Sequence, residues 1–196
     1  MARPPGFNRE KVLEKVMFLF WERGYAGASL SDIVSVTGLN KGSLYRSFGD
    51  KETLFRLALR RYSVRGPALM GNPEPSLDGL LRIYTRLIDD AAVPARRGRG
   101  CFLFNSGIEF GGRSGTAARE VAREFKGLED FFRRSVAGAV GDGDLPPDLD
   151  KDAAAARAFS AAFTLREIAR FRPQRRFLLE IANAALASLG TNRRLS

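Results

Sequence analysis

Asn40 and Asp50 each carry a side-chain oxygen that can take the unpaired N–H groups of a first helical turn, and Gly49 stands directly before the second of them. Only a two-turn helix fits between the two caps. Within it Leu44 and Phe48 are four apart and can bury one face, which leaves Lys41, Ser43, Tyr45 and Arg46 as polar donors. Upstream, Ser29 and Asp32 have capping-box spacing with Asp in place of Glu or Gln. Leu30, Ile33 and Val34 supply apolar contacts there, and Gly38 ends the segment. A helix, a short turn with Gly and a second helix make the helix-turn-helix unit. Asn8 caps a longer stretch with Val12, Val16, Leu19 and Phe20 at helical spacing, closed by Gly24. The first fifty residues therefore predict a three-helix head that binds DNA.

The same reasoning continues along an all-α chain of about nine helices. A helix from Asp50 to about Arg65 is followed by the clearest break, Pro67 to Pro75. The expected division is a head at 1–49, a connecting helix at 50–66, a second domain at 76–189 and a fraying tail at 190–196. In the second domain Ser76 caps a helix to about Ala92, and the loop Pro94 to Gly100 leads to a short helix from Cys101 to Phe110. A long helix runs from Thr116 to about Val140, another from Asp150 or Asp152 to about Phe171, and Pro173 opens the last, to about Leu189. No β-like alternation or internal repeat stands out.

Charge and residue usage narrow the function. Residues 1–66 hold 12 Lys plus Arg against 6 Asp plus Glu, whereas residues 67–196 hold 20 against 16, so the basic excess is densest in the head. A net charge of +10 favours a polyanionic partner through phosphate neutralisation and counterion release. The chain has no histidine, which removes Ser-His-Asp, Cys-His and His-based metal chemistry together. No enzyme activity, metal or cofactor is expected. One cysteine cannot form an intramolecular disulfide, and neither a membrane-length apolar run nor a signal-peptide core precedes the charged residues, so a cytoplasmic location is expected.

Residues 8 to 55 resemble the DNA-binding domain of the TetR family of bacterial transcription regulators. The resemblance is carried by Gly24-Tyr25, Ser29 to Ile33, Thr37-Gly38-Leu39, Lys41-Gly42-Ser43-Leu44-Tyr45, Phe48 and Lys51-Glu52-Thr53-Leu54-Phe55. It implies a homodimeric repressor whose helical C-terminal domain binds an effector and releases a near-palindromic operator. Carried onto these positions, Lys41 and Lys51 bind phosphate, Ser29 and Tyr45 donate to backbone oxygens, and Ser43 and Arg46 read bases. Asn40 opens the recognition helix, and Gly42 lets it lie close to DNA. The last two helices are rich in alanine, at 153–156, 158, 161 and 162 and at 182, 184, 185 and 187. That suits the four-helix dimer interface of such proteins, the plainer reading being an intramolecular helix pair.

The second domain says less. Ten of fifteen phenylalanines lie after residue 100, and Phe102, Phe125, Phe132 and Phe163 suit either an apolar effector pocket or an ordinary core. Arg166 could bind an anionic ligand group or pair with Glu109 or Glu167. Cys101, Asn105 and Glu109 fall at i, i+4 and i+8, and Gly100-Cys101 is similar to TetR-like repressors that sense electrophiles or oxidants; an inert buried thiol is the alternative. The expected function is a sequence-specific repressor relieved by a small apolar, aromatic or electrophilic effector. Its rivals are an enzyme or carrier that kept the head as a scaffold, and an architectural DNA binder.

Overall fold

The computed structural model describes residues 7–69, 73–93 and 98–196, with only the backbone of 65–69. Among the described residues there are nine helices and no strand: α1 Arg9–Gly27, α2 Leu30–Thr37, α3 Lys41–Phe48, α4 Lys51–Leu69, α5 Leu77–Ala91, α6 Phe102–Phe110, α7 Thr116–Gly141, α8 Lys151–Ile168 and α9 Arg175–Ser188. Helix starts follow the side-chain caps. Asn8, Ser29, Asn40 and Ser76 each accept the N–H three residues on, Asp50 accepts that of Thr53, and Asp150 accepts those of Asp152 and Ala153.

Several ends differ from expectation. The connecting helix continues through Gly66 and Pro67 to Leu69 rather than stopping near Arg65. Cys101 precedes its helix, which begins at Phe102. The penultimate helix ends at Ile168, and the last begins at Arg175, after Gln174, which makes no side-chain cap. Much of the loop expected at Pro94 to Gly100 lies outside the described residues, as does part of the break at Pro67 to Pro75.

The chain packs as two compact units that do not follow a linear division at 66–76. Residues up to Arg65 group with Phe102–Glu124, and Gly66–Cys101 groups with Phe125–Ser196. In the first unit α1 buries Val12, Leu13, Val16, Met17, Leu19 and Phe20. An aromatic cluster forms beside it, with Phe55 in edge contact with Phe20 (5.5 Å), Tyr25 (5.2 Å) and Phe102 (5.9 Å), and Phe110 5.1 Å from Phe55. Three carboxylates fix α6 and the start of α7 here. Glu109 accepts the amides of Tyr25 and Ala26 at 2.7 and 2.6 Å, Glu52 accepts that of Ala117 at 2.8 Å, and Glu120, only 4% exposed, takes Arg60 Nη2 at 2.9 Å. Arg60 Nε and Arg123 also bond Glu120, and Arg56 lies 3.5 Å from it. Burial pushes the Glu120 carboxyl up, but the Arg60 hydrogen bonds and the charges of Arg60, Arg123 and Arg56 outweigh it and hold the group below its ordinary value.

In the second unit α5, α8, α9 and the later part of α7 share a core around Leu80, Tyr84, Phe132, Leu165, Leu178 and Leu186. Small residues permit close approach: a Cβ on Gly79 would stand 1.9 Å from the Glu74 carbonyl oxygen, and one on Gly138 2.5 Å from that of Pro75. The buried Tyr84 hydroxyl donates to the Ala158 carbonyl at 2.9 Å, and burial raises its phenol far above the ordinary value. Ala154, Ala155, Ala158, Ala162 and Ala182 are consumed inside this core, whereas Ala156, Ala184 and Ala187 remain exposed. The tail, expected to fray, makes side-chain contacts with the second unit. The Asn183 carboxamide accepts the Leu195 amide at 2.8 Å and donates to the Leu195 carbonyl at 3.1 Å, Arg193 meets Asp78 at 2.6 Å, and Leu195 packs on the core. An amide side chain that matches both polar groups of one residue holds extended chain as a neighbouring strand would.

Candidate nucleic-acid interface

Helix α2 is held by both arms of its capping box. Ser29 Oγ accepts the Asp32 amide at 3.1 Å, and Asp32 Oδ2 accepts the Ser29 amide at 2.9 Å and its hydroxyl at 2.6 Å. Those Ser29 bonds, helped by Arg23 at 2.7 Å, hold the Asp32 carboxyl below its ordinary value. The Ser29 hydroxyl proton is thus directed at Asp32, so a donation from it to phosphate would first have to break that bond. Gly38, at φ +73°, closes α2 in the left-handed region.

Helix α3 is anchored on one side only. Leu44 and Phe48 are 1% and 3% exposed, each burial worth roughly 1.5–3 kcal/mol. Lys41, Gly42, Tyr45 and Arg46 are exposed, Ser43 is half-buried, and the Asn40 carboxamide oxygen holds the Ser43 amide at 2.8 Å. A Cβ added to Gly42 would meet only the Asn40 oxygen, at 3.5 Å, so packing within the chain does not require glycine there. Lys41 Nζ stands 5.8 Å from the Tyr45 ring, and Lys51 Nζ 4.5 Å from the Tyr25 ring. Asp50 caps α4, and its bonds from Thr53 keep that carboxyl low. Sequence reasoning missed Arg9. Its guanidinium lies 4.3 Å over the Phe48 ring and donates to the Ser47 carbonyl, placing a cation at the C-terminal end of α3, where the helix dipole favours one. The position just after the Asn8 cap was the available signal.

The residues expected to meet an effector fall into both units. Phe102, Asn105 and Glu109 belong to the first: Phe102 is 1% exposed in the aromatic cluster, and Glu109 is held by two backbone amides. Cys101, Phe125, Phe132, Phe163 and Arg166 belong to the second. There Phe125 stacks on Phe163 at 5.8 Å, Phe163 meets Phe159 at 4.9 Å, and Phe159 meets Phe132 at 5.6 Å, one continuous aromatic row. Arg166 pairs with neither Glu109 nor Glu167; it donates to the Gly100 carbonyl at 3.0 Å and lies 3.6 Å from Asp90. Glu167 instead accepts the Cys101 amide at 2.8 Å. Among the described residues no group of His, Cys, Asp and Glu could hold a metal, and no helix is long and apolar enough to cross a membrane.

Comparison with known proteins agrees with this geometry. Residues 13–58 match the model of bacterial regulatory proteins of the tetR family, and residues 76–184 match that of the tetracyclin repressor-like C-terminal domain. The chain is 31% identical over 153 residues to the HTH-type transcriptional repressor ComR of Escherichia coli, covering 76% of this chain and 73% of that one. It is 28% identical to the repressor DhaR of a Mycobacterium species, covering 96% of each. Among solved structures it is similar to a cysteine-substituted form of the TetR family regulator CifR bound to 26-bp double-stranded operator DNA. That match has TM-score 0.75 and 29% identity, covering 96% of this chain and all of that one.

Proposed function

Because the chain belongs to the tetR family of bacterial regulatory proteins and is a DNA-binding transcriptional regulator, we propose that it is a homodimeric repressor that inserts α3 of each subunit into successive major grooves. The observation that carries this reading is the one-sided anchoring of α3, with an exposed Gly42 that no neighbour within the chain requires. A glycine in a helix interior costs roughly 0.5–1 kcal/mol; Gly42, in the first turn of α3, costs at most that, and close approach of a duplex is the gain that offsets it. Lys41 and Lys51 then grip phosphate, Tyr45 donates to the backbone, and Ser43 and Arg46 face base edges. The exposed Ala156, Ala184 and Ala187 suit close contact with a second copy through α8 and α9.

Release by a small apolar or aromatic effector rests on the row of Phe125, Phe163, Phe159 and Phe132: the first three rings are half-buried and can repack around a ligand, and Phe132 anchors the row in the core. A reactive effector would meet Cys101, the one cysteine of the chain, by forming an adduct. Operator release by an electrophile that persists in Cys101→Ser would remove that role. The regulator reading itself is tested by selecting duplexes from a random pool. Arg46→Ala should then weaken the selected site by about 1–3 kcal/mol and relax its sequence preference, and Lys41→Ala should lower affinity for every sequence and reduce the salt slope by about one. Equal binding of the wild type to selected and random duplexes at matched salt would leave an architectural DNA binder instead.

A further inference from the structure

The Gly24 to Ala26 segment has an unusual construction. Gly24 interrupts α1 at φ +73°, and Tyr25 and Ala26 resume a helical turn directly after it. Their amides are therefore first-turn donors with no preceding helical carbonyl in line to take them. Glu109, from α6, supplies one carboxylate oxygen to each, at 2.7 and 2.6 Å, and a Cβ on Gly24 would stand 2.9 Å from that carboxylate. Two short charge-assisted bonds fix the backbone of Tyr25. Its ring is fixed as well, 5.2 Å from Phe55 and 5.3 Å from Phe110, the residue that follows Glu109. Lys51 Nζ then sits 4.5 Å from that ring.

We infer that Glu109 is a positioning residue for DNA binding: through the Tyr25 and Ala26 amides it sets the Tyr25 ring against which the Lys51 ammonium is aimed at the duplex backbone. Lys51 has a flexible four-carbon stem, and a ring face that attracts its charge restricts where that charge can lie. Replacing the carboxylate with a carboxamide removes one acceptor and turns an NH2 group toward an N–H, so the segment shifts and the ring with it. The inference rests on Lys51 as a phosphate contact in the reading above.

The test is a double-mutant cycle of Glu109→Gln with Lys51→Ala in the full chain, read as anisotropy of a labelled duplex across a salt series. Each single variant should lower the salt slope by about one, and the double variant should fall no further than either single. A general loss of folding stability would lower the active fraction and leave the slope alone. Should Glu109→Gln lose its helical circular dichroism, Glu109→Asp takes its place in the cycle with the same two outcomes. A wild-type slope in the Glu109 variant, or slope losses that add in the double variant, would overturn the inference. A wild-type slope in Lys51→Ala would overturn the inference by removing the phosphate contact on which it rests, whereas a lowered slope there with a wild-type slope in the Glu109 variant would overturn the positioning role alone, on a selected or a random duplex alike.

Discussion

Removing the Glu120 carboxylate should loosen the first packing unit by an amount the surroundings bound from both sides. Taking one partner from a fully buried ion pair costs about 3–5 kcal/mol, because the remaining charge is stranded. Here the carboxylate is 3% exposed, but the Arg60, Arg123 and Arg56 side chains are 43%, 57% and 28% exposed and can recover water once it is gone. Glu120→Ala is therefore expected below that range, at about 2 kcal/mol, and Glu120→Gln, which keeps the volume and one acceptor for Arg60, at about 1 kcal/mol. Because the folded carboxyl lies below its ordinary 4.5, its contribution is fully present above that value and is lost as pH falls below it through the folded value. The gap between wild type and Glu120→Ala should therefore close on acidification. Urea unfolding followed by Trp21, the one tryptophan of the chain and a member of the same unit, reads this directly at a series of pH values. A Glu120→Ala loss below about 0.5 kcal/mol at neutral pH, the range of an ordinary surface change, would refute the reasoning, and so would a gap that stays constant down to pH 3.

Gly42→Ala should separate folding from function: stability rises in thermal unfolding, by less than the roughly 0.5–1 kcal/mol of a helix-interior site because Gly42 lies in the first turn of α3, while operator affinity falls. Unchanged affinity would mean that no duplex approaches this position closely. Asn183→Ala strips both polar partners from Leu195 and should cost about 1–2 kcal/mol, with faster amide exchange at Leu195 as the local signature. Exchange at the wild-type rate would show that Arg193, paired with Asp78, and Arg175, which donates to the Ser196 carbonyl at 2.9 Å, hold the tail without it.

What could be read from the sequence was what is fixed locally. Every helix start assigned to an Asn, Ser or Asp cap lies where its oxygen could reach an amide two or three residues on, since that bond needs no information from elsewhere in the chain. Pro173 offers no side-chain acceptor, and the helix expected to open there begins two residues later, at Arg175; the helix expected to open at Cys101 begins at Phe102. Side-chain partners across long separations were less accessible. Glu109 was legible as sharing one face with Cys101 and Asn105, and Arg166 as a cation open to an acid or a ligand, but not as partners of the Tyr25 amide 84 residues away and the Gly100 carbonyl 66 away. The tail likewise contains nothing that announces Asn183 as its partner, because a carboxamide pairs with backbone through geometry rather than through any sequence pattern. The exposed face of α3 was the reverse case: a two-turn helix with two apolar residues four apart leaves little choice about which side is buried.

The grouping of residues 102–124 with the head bears on how this protein could be re-engineered. An exchange of DNA-reading heads between relatives, cut at the Gly- and Pro-rich break after α4, would transplant Tyr25, Glu52, Arg56 and Arg60 without the groups that complete them. The recipient would have to supply a carboxylate at 109, an amide donor at 117 and an acid at 120, or the graft would leave four partners unmatched. The interchangeable cassette in this chain is discontinuous, a head plus a later 23-residue stretch, and a hybrid that respects that division should retain operator binding where a single-cut hybrid loses it.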